Sequence, residues 1–487
     1  MARIVEIKDP LSLDEYAALA FLAPYVDELR AEAATLVPAL RGRKVWMINS
    51  TAQGGGVAEM LPKMLPLLRE LGLDIDWAVI ETDRVPFFDL TKRIHNMIHG
   101  VDRPQLSAAD RELFELVGRE NADVLLNHVS ERDIVVVHDP QPIEVGRILN
   151  QELGVKTIWR CHIGLPDHLS ATRDAWQFLE PYATTYDHSI FSAPEYIPSY
   201  LAGTASVIHP AIDPLSEKNR DIHAHRLSGI LCNAGLAVEY TPVLTAPFLD
   251  SAKQLTPDGS WVPPCEIGDI GLLTRPIVMQ ISRWDRLKGW NPLLDAFAKL
   301  KRRHRGGVDD FHRRRLEILR LVLAGPDPSS VADDPEGQEV IHELSESYLH
   351  LDPQVQRDVV LLSLPMESAR ENALIVNALQ RCATVIAQNS LQEGFGLTVT
   401  EAMWKRAPVM GSQACGLRQQ IRDRMDGRLV EDAEDSEGIA RILDEMLADR
   451  SQRQQLGRAG QRRVYKEFLI FTQLRRWLEV LADVATR

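Results

Sequence analysis

The residues Thr384–Glu401 read TVIAQNSLQEGFGLTVTE and contain the unit from which this chain is built. The apolar, β-rich run Thr384–Ala387 predicts a buried strand, and Gly394 and Gly396 predict a tight turn ahead of a helix. Strand, turn and helix in this order form the repeating unit of a parallel sheet with crossover helices. The stretch therefore predicts an α/β fold, in which ligands bind beyond the carboxyl ends of the strands.

The same alternation of short β-rich runs and helical stretches recurs along the whole chain, which predicts two Rossmann-like domains, each a doubly wound parallel sheet. Ahead of the first strand, apolar residues at three- and four-residue steps predict one amphipathic helix from Asp14 to Leu40. The predicted strands are Val45–Asn49, Ile75–Ile80, Ile134–His138, Lys156–Cys161 and Ser189–Ser192 in the first half, and Ile277–Ser282, Leu319–Ala324, Val359–Ser363, Thr384–Ala387 and Pro408–Gly411 in the second.

The boundary between the two domains is predicted where the periodicity is weakest. Asp213-Pro214 interrupts regular structure, so the first domain is placed at residues 1–211 and the second at residues 212–465. A C-terminal helix, about residues 466–487, is expected to pack back on the first domain. Residues 241–273 are interpreted as a loop-rich insertion, because they are longer than a compact connection needs.

Charge and composition exclude several classes of protein. The 487 residues include 55 Lys and Arg against 69 Asp and Glu, a formal net charge of −14, which disfavours binding to nucleic acid or to an anionic membrane. The five cysteines show no Cys-x-x-Cys spacing, so neither a zinc site nor a disulfide framework is indicated. No signal-peptide pattern and no apolar run near 18 residues is present, and a cytoplasmic location is expected.

Two carboxylates, Glu393 and Glu401, flank the glycine-rich turn and are separated by seven residues. Gly394 and Gly396 let the backbone approach a ligand closely, and N–H groups at the start of the following helix can point at phosphate oxygens. The pair can then address opposite ends of one elongated ligand. The alternative is a surface turn followed by a charged helix, but the glycines and the preceding strand favour a ligand site.

Two cations, Arg283 and Lys288, follow the predicted strand Ile277–Ser282 directly. Ligands bind at this edge of an open parallel sheet, so a guanidinium and an ammonium here could neutralise a diphosphate and stabilise it as a departing anion. The alternative interpretation is two solvated surface cations.

A third candidate is the glycine loop Gln53-Gly54-Gly55-Gly56 between the first predicted core strand and a helix. It resembles a dinucleotide-binding fingerprint only superficially, because a G-x-G-x-x-G that starts at Gly54 would need glycine where Glu59 stands. A tight turn without a ligand is the alternative.

Two histidines, His138 and His162, also follow predicted strands, and Asp139 comes directly after the first of them. They are expected where a cleft between two doubly wound domains opens; a histidine bonded to a neighbouring carbonyl is the alternative. The other histidines show no spacing with carboxylates or cysteines that indicates a metal site.

These motifs together resemble family 4 of the retaining nucleotide-sugar glycosyltransferases, and within it the trehalose glycosyltransferring synthases. The strings His138–Pro142 and Asp213–Asn219, which read HDPQP and DPLSEKN, are specific to that subgroup, whereas the Glu393–Glu401 spacing marks the wider family. The resemblance covers nearly all of both domains. It implies the GT-B fold, in which two Rossmann-like domains face each other across a cleft.

The resemblance also implies a role for each candidate residue. Arg283 and Lys288 would hold the donor diphosphate, and with Glu393 and His162, which contact the donor sugar, they would form the catalytic set. Glu401 would hold the ribose. Candidates on the acceptor side are Gln53 and Asp139. The remaining donor-binding candidates are Gly55, Gly56, Gly394, Phe395, Gly396, Leu397 and Thr398.

The implied reaction moves glucose from ADP- or UDP-glucose to glucose, with retention, and forms α,α-trehalose. Nucleoside diphosphate glucose is a co-substrate; no permanently bound cofactor, metal, nucleic acid or membrane is implied, and a homodimer is left open. The alternatives are a trehalose phosphorylase, a related transferase with another small acceptor, and a non-catalytic regulatory protein that binds sugar nucleotides. The segments Ala414–Leu417 and Asp426–Leu429 depart from the family pattern, which leaves acceptor and nucleotide open.

Overall fold

The computed structural model describes residues 2–8, 12–52, 56–100, 105–166, 169–238, 248–303, 309–328 and 335–487. The chain divides into two compact units. The first unit comprises Met1–Ala211 and Ile470–Arg487, and the second comprises Ile212–Leu469. Each is an α/β unit built on its own sheet, as the alternation of strands and helices predicts.

The first unit contains seven strands in the order β1-β3-β2-β4-β5-β6-β7. Only β1 among the described strands of this sheet runs antiparallel to its neighbour. Its elements are β1 (Arg3–Val5), α1 (Leu13–Ala17), α2 (Ala23–Leu36), β2 (Lys44–Asn49), α3 (Gly56–Glu70), β3 (Asp74–Val79), α4 (Val85–Ile98), α5 (Ala108–Leu125), β4 (Ile134–His138), α6 (Ile143–Leu153), β5 (Lys156–Arg160), α7 (Ser170–Ala183), β6 (His188–Phe191) and β7 (Ala205–Val207).

The second unit contains eight strands in the order β15-β14-β13-β10-β11-β12-β8-β9. Its elements are α8 (Ala224–Asn233), β8 (Lys253–Leu255), β9 (Trp261–Val262), α9 (Pro264–Ile267), β10 (Ile277–Ile281), α10 (Trp290–Arg303), α11 (Asp310–Ile318), β11 (Arg320–Pro326), α12 (Pro335–Leu349), α13 (Pro353–Gln356), β12 (Val359–Leu364), α14 (Ala369–Cys382), β13 (Val385–Gln388), α15 (Leu397–Trp404), β14 (Val409–Gly411), α16 (Cys415–Gln420), β15 (Arg428–Leu429), α17 (Ser436–Ala448) and α18 (Arg450–Glu467).

Each of the ten strands predicted from the sequence overlaps an observed strand, with ends that differ by at most two residues. The central strands are buried on both faces, as parallel strands covered by helices must be. Every residue of β4, β10 and β12 is buried. Because these strands are buried on both faces, their sequences are continuous runs of Val, Ile and Leu, and such runs predict strands.

The N-terminal helix differs from its prediction. The sequence predicts one helix from Asp14 to Leu40, but the structure contains α1, α2 and a separate 3₁₀ turn at Val37–Leu40. Pro24 and Pro38 lie in the first turns of the second and third of these elements. Proline has no backbone N–H to donate to the preceding turn, so each new element starts where a continuous helix would need that bond.

The predicted insertion is not devoid of regular structure. Within its described part, 248–273, strands β8 and β9 form an antiparallel hairpin that extends the sheet beyond β12. Gln254 pairs with Leu362, and the backbone N–H of Thr256 donates to the Ser260 carbonyl at 2.9 Å to close the turn. Residues 239–247 lie outside the described part of the chain.

The last helix, α19 (Ile470–Thr486), belongs to the first unit, whereas α18 ends at Glu467 in the second. The Phe471 ring of α19 packs edge to face against Tyr16 at a centroid distance of 5.2 Å. Its Arg475 lies 3.1 Å from Glu28 and 2.8 Å from Glu32, both on α2. In the described ranges, no helix is both long enough and apolar enough to cross a membrane.

Burial of the α19 side chains predicts a stabilising role that mutation can measure. Leu478 is fully buried, so Leu478→Ala should destabilise the first unit by about 2–5 kcal/mol through lost burial and a residual cavity. Leu116→Ala, at a position 43% exposed on α5, is the matched control and should cost much less. The midpoints of urea unfolding, followed by tryptophan fluorescence, test this; equal shifts in both variants would contradict it.

Candidate active site

In the second unit, the growth of the sheet reverses beside β10. The chain adds β11 and β12 on one side of β10 and then returns to place β13 on the other side. Such a reversal opens a crevice beyond the carboxyl ends of the two strands, because their connections leave in opposite directions. The segments Ser282–Gly289 and Asn389–Gly396 follow these two strands, and they contain six of the nine candidate residues of this unit.

Gln280 ties these two segments together from within β10. Its side-chain Nε2 donates to the Lys288 carbonyl at 2.8 Å, and its Oε1 accepts from the backbone N–H of Asn389 at 3.0 Å. The Asp285 carboxylate caps the short 3₁₀ turn Arg286–Lys288 by accepting from the Leu287 N–H at 2.8 Å. The fully buried side-chain amide of Gln280 thus bonds to both segments and helps to set the distance between them.

Lys288 and Glu393 form an ion pair in this crevice. The Lys288 Nζ lies 2.9 Å from Glu393 Oε2, and the side chains are only 12% and 11% exposed. The Ser390 hydroxyl donates to the same carboxylate oxygen at 2.9 Å. The sequence singled out these two residues separately, and the structure brings them into contact although 105 positions separate them.

Arg283 behaves differently from Lys288. Its side chain is 73% exposed, and its Nη2 lies 3.8 Å from Asp285 Oδ2. An exposed guanidinium on the loop after β10 can reorient toward an anion at little cost, because few contacts hold it. The two predicted cations are therefore one ammonium held in an ion pair and one exposed guanidinium.

The glycine-rich turn ends at the start of α15. Gly396 has φ +82°, a left-handed conformation, and an added Cβ would lie 2.9 Å from Glu393 Cγ, so both backbone and space require glycine. Phe395 is buried, and its ring meets Phe468 at a centroid distance of 5.8 Å. No described atom lies within 4 Å of the place where a Cβ of Gly394 would project, so this glycine leaves open space.

The side chain of Gln420 stabilises the glycine-rich turn by hydrogen bonds. Its Nε2 donates to the carbonyl oxygens of Phe395 and Gly396, the latter at 3.2 Å, and its Oε1 accepts from the Thr400 hydroxyl. The Val399 N–H donates to the Gly396 carbonyl at 3.0 Å, whereas the N–H groups of Leu397 and Thr398, the first two of α15, have no acceptor within the helix. Leu397 is exposed and Thr398 half-buried, so this helix start can be reached by an anion.

Glu401 lies one turn before the end of α15 and is buried. The Nζ of Lys405 donates to the Glu401 carbonyl at 3.1 Å and to Asn219 Oδ1 at 3.2 Å. Burial lowers the pKa of Lys405, and the Glu401 carboxylate opposes that shift. The two glutamates thus lie on different elements, a loop and a helix, as their spacing predicts.

The first unit has an equivalent reversal between β2 and β4. Asp139 follows β4 with φ +63°, and its Oδ1 accepts from the His162 backbone N–H at 2.8 Å. Its own N–H donates to the Arg160 carbonyl at 2.8 Å, and its carbonyl accepts from Trp159 Nε1 at 3.0 Å. Burial raises the pKa of Asp139 to about 6, against the lowering effect of the His162 N–H.

His138 and His162 contact each other at the same edge of the first sheet. His138 Nδ1 lies 3.1 Å from His162 Nε2, and His138 Nε2 lies 3.3 Å from Met47 Sδ. Burial, aided by the charge of Arg160, lowers the pKa of His138 to about 3, and burial also lowers the pKa of His162. Both imidazoles are therefore neutral near pH 7.

Part of the predicted glycine loop cannot be compared with the structure. Gln53, Gly54 and Gly55 lie outside the described residues, and Gly56 begins α3. Among the described residues, no group of His, Cys, Asp or Glu is arranged to hold a metal ion.

Sequence reasoning missed Gln280, Ser390, Gln420 and Met47, which contact Lys288, Glu393, Phe395 and His138, respectively. Ser390 carries a usable signal, since the polar run Gln388–Ser390 directly follows the predicted strand Thr384–Ala387. The other three do not, because a single glutamine or methionine in an apolar element has many structural uses.

Comparison with known proteins agrees with this geometry. Residues 47–198 match the family described as "Trehalose synthase, N-terminal domain", and residues 269–463 match "Glycosyl transferases group 1". A trehalose synthase of Pyrococcus horikoshii is 34% identical over 448 residues, 91% of this chain and 90% of that protein. A trehalose synthase of Rubrobacter xylanophilus is 33% identical over 460 residues, 94% of each chain.

Solved structures agree on the fold. An α,α-trehalose-phosphate synthase (UDP-forming) from Burkholderia xenovorans superimposes with a TM-score of 0.61 over 91% of this chain and 100% of that one, at 15% identity. At that identity the likeness establishes the GT-B fold alone. With two matching domain families and relatives aligned over nine-tenths of their length, the chain belongs to the trehalose synthase family of GT-B glycosyltransferases.

Proposed function

We propose that this protein transfers glucose from a nucleoside diphosphate glucose to free glucose, with retention, and forms α,α-trehalose. The observation that carries the proposal is the pair Lys288–Glu393, a cation for a diphosphate and a carboxylate for sugar hydroxyls, held 2.9 Å apart in the crevice of the second sheet. The trehalose synthases at 33–34% identity support the choice of product.

The diphosphate is assigned to Lys288, Arg283 and the start of α15. In this assignment Lys288 exchanges its contact with Glu393 for one with the incoming phosphate, and the exposed Arg283 closes on the other side. The free N–H groups of Leu397 and Thr398 complete the anion site. These groups supply the positive charge that the leaving diphosphate needs, so the proposal gives no step to a metal ion.

The donor's other parts are assigned to the two glutamates and to the first unit. Glu393 accepts hydrogen bonds from the glucosyl hydroxyls, and Glu401 accepts them from the ribose. His162 contacts the donor sugar, while Gln53 and Asp139 are assigned to the acceptor and Gly55 and Gly56 to the loop that lines donor and acceptor.

Retention is assigned to a front-face transfer. A double displacement needs a free carboxylate nucleophile, whereas Glu393 is assigned to the glucosyl hydroxyls and accepts a hydrogen bond from Ser390 at 2.9 Å. In the proposed step the bond from the glucosyl C1 to the diphosphate oxygen breaks, the acceptor oxygen bonds to C1 on the same face, and its proton passes to the departing diphosphate.

The decisive experiment incubates the protein with glucose and, in turn, ADP-, UDP-, GDP- and TDP-glucose, and identifies the product by NMR. We expect α,α-trehalose and one equivalent of nucleoside diphosphate. In a parallel incubation with trehalose and phosphate, formation of glucose 1-phosphate and glucose would instead establish a phosphorylase. Binding of nucleotides without any product would establish a regulatory protein, and a different disaccharide would correct the acceptor.

Lys288→Ala should lower turnover more than donor affinity, because the departing diphosphate carries more charge than the bound one. One such contact contributes about 3–4 kcal/mol, so kcat should fall about 10²–10³-fold. Lys299→Ala removes an equal charge from α10, where Lys299 is bonded to Ser436 at 2.7 Å, and should leave kcat unchanged. A raised KM with intact kcat in Lys288→Ala would show that Lys288 only binds.

Glu393→Gln and Glu401→Gln should separate the two ends of the donor. Glu393→Gln releases Lys288 from its pair, so the bare nucleoside diphosphate should bind at least as tightly while glucosyl transfer falls. Glu401→Gln should weaken the bare nucleotide by about 1–3 kcal/mol, the cost of a lost charged hydrogen bond. Calorimetric titration of both variants measures this; equal losses would mean that the pair only supports the loop.

A further inference from the structure

Three side chains form a line across neighbouring strands of the first sheet. Met47 lies on β2, His138 at the end of the adjacent β4, and His162 just beyond the next strand, β5. The atoms meet in one chain, Met47 Sδ to His138 Nε2 at 3.3 Å and His138 Nδ1 to His162 Nε2 at 3.1 Å. Met47 and His138 are fully enclosed, whereas His162 is half-buried.

The chemistry of these atoms fixes where each proton lies. A thioether sulfur has no hydrogen and can only accept, so His138 Nε2 must carry the N–H that meets Met47. A neutral imidazole has one N–H, and therefore His138 Nδ1 is bare and accepts from His162 Nε2–H. His162 then has its own bare nitrogen at Nδ1, which has no hydrogen-bond partner among the described residues.

The opposite arrangement of protons is disfavoured at the buried end of the line. It would turn the lone pair of His138 Nε2 toward the lone pairs of Met47 Sδ and leave a buried polar atom unsatisfied. The doubly protonated form is excluded by the same burial, which lowers the pKa of His138 to about 3.

The backbone of His162 is held independently of its ring. Its N–H donates to Asp139 Oδ1 at 2.8 Å, and its carbonyl accepts from the Ser192 hydroxyl at 3.3 Å. The position of His162 therefore does not depend on Met47, and what the line of side chains decides is the tautomer of the ring.

We infer that Met47 and His138 are positioning residues that hold His162 as its Nε2–H tautomer, so that its Nδ1 accepts a hydrogen bond from a hydroxyl of the donor sugar. The choice of a sugar hydroxyl rests on the proposed function; the tautomer does not. A neutral nitrogen with a free lone pair can accept a hydrogen bond from a sugar hydroxyl. It forms no hydrogen bond with a fluorine that replaces that hydroxyl, because fluorine has no proton to donate.

The tautomer is measured in the unliganded protein with ¹⁵N-labelled histidine. Long-range proton–nitrogen NMR distinguishes a protonated ring nitrogen from a bare one, and His138→Phe and His162→Phe assign the two rings among the 14 histidines. We expect protonated Nε2 and bare Nδ1 in both rings. A protonated Nδ1 on His162 would overturn the inference, whatever the protein catalyses.

Met47→Leu tests the consequence for the reaction. Leucine has a similar volume but no acceptor, so both tautomers of the pair should appear and glucosyl transfer should fall about two- to tenfold, the worth of one neutral hydrogen bond. Met97→Leu makes the same change at a buried position of α4 and should alter neither the tautomers nor kcat.

Unchanged turnover in Met47→Leu with mixed tautomers would overturn the positioning role. Absence of turnover in the wild-type protein would overturn the proposed function and leave the tautomer result standing. If Met47→Leu does not fold, the wild-type spectrum still decides the inference.

Discussion

The second unit depends on one topological constraint, the reversal of sheet growth between β10 and β13. Because both strands are parallel and adjacent, their carboxyl ends meet at one edge while their connections depart in opposite directions. Gln280 bridges the two outgoing loops, the Leu391 N–H donates to the Leu287 carbonyl between them, and Lys288 and Glu393 come into contact across the same pair of loops. The candidate site is therefore a consequence of strand order, and its side chains act within a geometry that the backbone sets.

Charge in this site is held in balance before any ligand is present. The chain is acidic as a whole, and the ammonium of Lys288 is largely withdrawn from water, where an unpaired charge would be costly. The ion pair with the Glu393 carboxylate offsets this loss of hydration. An anion that replaces the carboxylate finds a cation already positioned and partly desolvated, so little reorganisation is needed when the ligand binds.

At the edge of the first sheet the polar groups differ from the Lys288–Glu393 ion pair, because burial disfavours their charged forms. His138 and His162 are neutral because burial disfavours the imidazolium, and burial raises the pKa of Asp139 to about 6. A neutral histidine is specific only if its proton is fixed on one nitrogen. In the proposed arrangement Met47, buried within the sheet, fixes that proton by accepting from His138 Nε2.

The sequence by itself determined the α/β class, the ten core strands and the residues that follow their carboxyl ends, because buried parallel strands leave continuous apolar runs and glycines mark the turns. It did not determine the break at Pro24 and Pro38, where the apolar period continues although the helix does not. The sequence also did not identify Gln280, Gln420 or Met47 as contacts of the candidate residues, because their hydrogen-bond partners are distant in the chain. Only the tertiary structure paired Lys288 with Glu393 and Met47 with His138, since a contact between distant segments is decided by strand order and register and leaves no local pattern.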